Sequence, residues 1–176
     1  MSSLAVKENI RFDEALQLTQ TFLELLKQND LTASQITTFV ADITKSENGA
    51  RGFFVVYLTA EDEICDRVRS EVVEGLKASP DITAELLVKN VAMSTAQAIF
   101  HRRNEDAEKA ESSIAVARRS ADIIRQLKSP KIDELGRQLL TTIQTGTGDY
   151  SDFLSRWGYD AEQKATIANV VSQLID

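Results

Sequence analysis

This sequence predicts an all-α fold, a bundle of about six to eight helices around one apolar helix at residues 82–100. Three observations predict it. Chain breakers are scarce, with two prolines (Pro80 and Pro130) and seven glycines in 176 residues, which suits long helices and not a turn-rich β fold. Apolar residues recur at steps of three and four, the signature of one buried helix face. Helix-start signals stand immediately before several of those stripes.

The first ten residues read as a flexible arm, without the charged-then-apolar pattern of a signal peptide. A helix follows from about Asp13 to Gln28, its stripe drawn by Phe12, Leu16, Thr19, Leu23 and Leu26. Thr32 and Gln35 form a capping box, with Leu31 and Ile36 placed to close over it. Ile36, Phe39, Val40 and Ile43 supply the buried face of that second helix, and Asn48-Gly49 is read as its end or turn.

Gly52-Phe53-Phe54-Val55-Val56-Tyr57-Leu58-Thr59 has the composition of a buried strand. No second strand stands ready to pair with it, and a lone strand leaves its amides and carbonyls unmatched. The balance favours a short buried helix over residues 52–58, with an intermolecular strand pair as the alternative. Thr59 is placed to cap a following helix with Ile64, Cys65, Val68, Val72 and Leu76 inside, ended by Ser79-Pro80-Asp81. From Ile82 to about His101 runs the most apolar helix, in which Leu86, Leu87, Val91, Ile99 and Phe100 alternate with Ala92, Ser94, Ala96 and Ala98.

Residues 105–128 form a long charged helix, read as separate from or fused to the one before it. Its seam of Ala107, Ala110, Ile114, Ala117, Ala121 and Ile124 suits a tight contact inside a bundle. Ser129-Pro130 opens another helix in the favoured cap-then-proline order, and it runs to about Gln144. Thr145-Gly146-Thr147-Gly148 is a linker, because it lacks the Gly-Lys-Ser/Thr ending of a phosphate loop. Two short helices close the chain near 150–157 and 161–175, the last capped by Asp160 with Gln163 completing the box. The domain reading is an arm at 1–10, a main helical domain at 11–145 and a C-terminal helical extension at 146–176.

Charge and composition narrow the functions. The net charge is −7, with −5 from residues 1–80 and −2 from 81–176, so non-specific binding to nucleic acid is disfavoured. No apolar run approaches the length of a membrane span, and a cytoplasmic setting is expected. One cysteine (Cys65) and one histidine (His101) do not make a zinc site, no Glu-x-x-His pair or EF-hand loop occurs, and no metal or cofactor is expected. No Gly-x-Ser-x-Gly elbow is present, so no catalytic residue is assigned.

Two groups remain as candidate sites. Arg51, His101, Arg102 and Arg103 could cup a phosphate or carboxylate, although cationic side chains at a helix C-terminus also oppose the negative end of the dipole. Tyr150, Phe153, Trp157 and Tyr159 are candidate interface anchors, or they fasten a terminal helix to the body. Arg118, Arg119 and Arg125 read as a solvated, salt-bridged helix surface.

The runs Gly49-Ala50-Arg51-Gly52-Phe53-Phe54 and Met93-Ser94-Thr95-Ala96, followed by His101-Arg102-Arg103-Asn104, resemble uncharacterised cyanobacterial helical proteins over residues 49–104. The resemblance implies a cytoplasmic helical protein and brings no activity with it. The functional expectation is a non-catalytic helical protein for self-association or binding a protein partner. The alternative is a binder of a small anionic molecule, or an enzyme, using the Arg/His group.

Overall fold

A computed structural model of the protein describes residues 4–176; of the arm expected at 1–10, residues 1–3 lie outside the described residues. Among the described residues there are nine α-helices, one 3-10 turn and no strand, so the all-α prediction holds. The helices are α1 Phe12–Lys27, α2 Ala33–Ile43, α3 Glu47–Thr59, α4 Ser70–Leu76, α5 Pro80–Arg103, α6 Ala107–Leu127, α7 Pro130–Thr145, α8 Ser151–Trp157 and α9 Ala161–Ser172. They fall into two compact units, residues 1–86 and 87–176, and α5 contributes residues to each.

In the first unit α1 packs on α3, and α2 packs on α4. The segment with strand composition is helical: α3 starts at Ser46, whose hydroxyl accepts from the Gly49 amide at 3.1 Å. Its buried positions, Ala50, Phe53, Phe54, Tyr57 and Leu58, follow helical spacing, while Arg51, Val55 and Thr59 face out. Burial against neighbouring helices overrides the β preference of the individual residues.

The expected turn at Asn48-Gly49 is corrected, because Gly49 and Gly52 lie inside α3. The reason is close approach: a methyl group on Gly52 would stand 2.5 Å from the Ala15 Cβ of α1. The same contact re-aims α1. Its buried line is Ala15, Thr19, Phe22 and Leu26, and Phe12 is 36% exposed, so the stripe expected through Phe12, Leu16 and Leu23 is turned partly outward. Gly75 performs the same service between α4 and α2, where a methyl group would meet the Val40 Cβ at 2.6 Å. Aromatic rings from α1, α2 and α3 form the core of this unit. Phe22 stacks on Phe39 with centroids 4.3 Å apart, and Phe53 stacks on Tyr57 at 5.2 Å.

The single helix expected to follow Thr59 is also corrected. Thr59 does not cap it; its hydroxyl donates back to the Val55 carbonyl at 2.6 Å. The chain then makes a 3-10 turn at Glu63–Cys65, capped by the Asp62 carboxylate, before α4 begins at Ser70. Lys27 at the end of α1 pairs with Asp62 at 2.5 Å and holds that turn.

In the second unit α7 packs on α9, and Gly136 of α7 admits Ile175 and Val171 at close range. The predicted boundaries fare well here. Leu87 and Val91 of α5 are fully buried, as expected for the apolar helix. α5 and α6 are separate helices: Glu105 turns left-handed (φ 57°) and Asp106 caps α6 by accepting from the Lys109 amide. Pro130 opens α7, and Gly146 ends it with the positive φ of 79° that glycine adopts without strain. Asp160 and Gln163 form the capping box of α9 in both directions.

Candidate functional site

The anion-site residues are divided between the units. Arg51 belongs to the first; His101, Arg102 and Arg103 belong to the second. Arg51 is exposed on α3, its guanidinium 5.5 Å from the centre of the Phe12 ring. Arg102 is exposed, and His101 is half-buried with its ring edge-on to Phe100 at 5.4 Å.

Arg103 is committed to the protein's own acids. Its guanidinium donates to the Asp160 carboxylate at 2.5 Å and to the Glu162 carboxylate. Arg103 and the capping amide of Gln163 hold the Asp160 carboxyl below the usual carboxylate range. Next to this ion pair, the Gln163 side chain donates to the Ala96 carbonyl at 3.1 Å. The C-terminal turns of α5 are therefore tied to the start of α9 by one charged and one neutral contact. Sequence reasoning found the Asp160–Gln163 box but not this second use of it, because 57 residues separate Arg103 from Asp160. The available signal was an acidic helix start in a chain that also has a basic helix end.

The four aromatic candidates divide in the structure. Tyr150 and Tyr159 are buried, and Phe153 is half-buried between them, its ring edge-on to Tyr150 at 6.0 Å and to Tyr159 at 6.3 Å. Burial pushes the Tyr159 hydroxyl up to about 12. Trp157 stands outside this row at 46% exposure. Phe100 is 51% exposed, so the second unit has two large apolar side chains in solvent, one on α5 and one on α8.

Arg125 pairs with Asp122 at 2.9 Å, in keeping with a salt-bridged α6 surface, whereas its neighbour Arg119 is buried. Among the described residues, no three His, Cys, Asp or Glu side chains come together as a metal-holding group, and no helix is long and apolar enough to cross a membrane.

Residues 11–174 match the family described as Uncharacterised conserved protein UCP020893, and the chain belongs to that family. No curated protein and no solved structure matches it.

Proposed function

We propose that this member of an uncharacterised conserved family is a non-catalytic cytoplasmic helical protein that works by association, chiefly with copies of itself. The likeness of residues 49–104 to uncharacterised cyanobacterial helical proteins supports a cyanobacterial source for it. The observation that carries the reading is the pair Phe100 and Trp157, two large apolar side chains left about half exposed. They stand on segments that Arg103, Asp160 and Glu162 tie together: Phe100 three residues before Arg103, and Trp157 three before Asp160. Exposed aromatic residues held on a rigid frame are favoured anchors for a partner. The charge balance supports the same side of the protein. Residues 1–86 carry 8 Lys and Arg against 15 Asp and Glu, and residues 87–176 carry 12 of each, so the second unit is neutral and the first holds the whole −7.

Native mass spectrometry of the protein purified gently from its own cells tests this. A defined multimer carrying no small molecule is the expected result. A retained small mass that disappears in Arg51→Ala or His101→Ala would overturn the reading and establish the anion-binding alternative.

A further inference from the structure

We infer that the outer line of α5 pairs with the same line of a second copy, antiparallel, about a two-fold axis beside Gln97. This rests on the association reading above and names its surface and its occupant.

From Leu87 to Phe100 the helix is buried except at Lys89, Asn90, Met93, Gln97 and Phe100. Asn90, Met93, Gln97, Phe100 and the exposed Asn104 that follows are spaced three, four, three and four apart. At 3.6 residues per turn they occupy an arc of about 80°. This is the spacing of a helix that meets another helix along its length. Asn90, Met93 and Gln97 are half-buried, Phe100 and Asn104 are exposed, and these five positions carry no charge in a chain with 27% charged residues, with Lys89 at the border of the arc.

Three features point to a second copy as the occupant. The face is uncharged on a chain of net −7, so two copies meet there without repulsion between like charges. The amides of Asn90 and Gln97 each donate and accept, so the face is complementary to itself, as an isologous contact requires. The required partner, a helix with matching spacing, is present in every copy.

Charge also sets the direction. A parallel pair would bring His101, Arg102 and Arg103 of the two chains together at one end and align the helix dipoles. The antiparallel pair separates those ends. With the axis at Gln97, Asn90 faces Asn104, Lys89 faces Glu105, and Met93 faces the level of His101, about 1.5 Å along the helix from Phe100 of the other copy. Such a pair sets each amide against an amide and brings Met93 within one residue's rise of the Phe100 level.

Two variants of the full-length protein test the pairing. Gln97→Cys, made with Cys65→Ser, should form an inter-chain disulfide under mild oxidation because the axis brings position 97 against itself. Thr141→Cys, at an exposed position on α7, should not. Phe100→Asp should weaken dimerisation by about 10-fold or more in sedimentation equilibrium while keeping the wild-type helical circular dichroism. A wild-type dimer that neither cross-links through position 97 nor responds to Phe100→Asp would overturn this surface and leave association standing. A wild-type chain that stays single at all concentrations would overturn both. If Phe100→Asp fails to fold, the cross-link decides alone.

Discussion

The two units place their aromatic residues differently. The first unit packs Phe22, Phe39, Phe53, Phe54 and Tyr57 inside, with ring stacking among them, and leaves only Phe12 turned outward, under the Arg51 guanidinium. The second builds most of its interior from aliphatic and small residues, such as Leu87, Val91, Ala92, Ala96, Ile123 and Leu139. Its aromatics are a small buried row beside α8, Tyr150 and Tyr159 with Phe153 half-buried between them, and two exposed rings, Trp157 on α8 and Phe100 at the outer end of α5. Aromatic rings buried together supply packing energy; aromatic rings held at an edge supply something to bind. The first unit also holds the net charge, and the second is neutral. The comparison assigns stability to the aromatic core of one unit and association to the edge of the other.

The largest effect that would sharpen this contrast is at Phe53, which is fully buried. Phe53→Ala should cost about 3–5 kcal/mol in urea unfolding, and a loss below about 1 kcal/mol would break the claim that the first unit is held by its rings. Gly52→Ala comes next. The added methyl group meets Ala15 at 2.5 Å, and the helix crossing should lose about 1–3 kcal/mol. This holds although alanine is the better helix former by about 1 kcal/mol, so a stabilised variant would show that α1 and α3 do not approach closely there. Thr32→Ala removes the α2 cap and should cost about 1 kcal/mol. Trp157→Ala should change unfolding by less than about 0.5 kcal/mol, because exposed side chains contribute little to the fold. A large loss there would make Trp157 part of the core and break the contrast from the other side.

A pH dependence gives the smallest effect. Asp160 is held below its ordinary value by Arg103 and by the Gln163 amide. A carboxylate with a lowered folded value contributes stability that is complete above its unfolded value, near 3.8, and is lost as the pH falls through the lower folded one. Asp160→Asn should therefore lower the unfolding midpoint at neutral pH, and the gap from wild type should close in strong acid. A gap independent of pH would show that the tie between α5 and α9 is not ionic.

Local signals were legible in the sequence. The Thr32–Gln35 and Asp160–Gln163 boxes and the Ser129-Pro130 start all lie where their spacing placed them, because a helix start depends only on residues within one turn of it. The apolar character of 82–100 likewise survives as buried α5. What failed depends on neighbours distant in sequence. Asn48-Gly49 reads as a turn until Ala15 is known to press on Gly52, and then the segment reads as a crossing point inside a helix. The 3-10 turn before α4 carries an ion pair from Asp62 to Lys27, a residue far away in the sequence. At the site, the exposure of Phe100 and the pairing of Arg103 with Asp160 depend on which helix ends meet, and spacing within one helix does not carry that information.

One pair of substitutions tests the central claim most directly, because each unit has one outward phenylalanine. Phe12→Asp and Phe100→Asp should both leave the helical circular dichroism intact. Sedimentation equilibrium should then show the Phe12 variant with the wild-type mass and the Phe100 variant shifted toward single chains by a weakening of about 10-fold or more (about 1.4 kcal/mol or more). If the Phe12 variant dissociates and the Phe100 variant does not, association belongs to the first unit and the account is wrong.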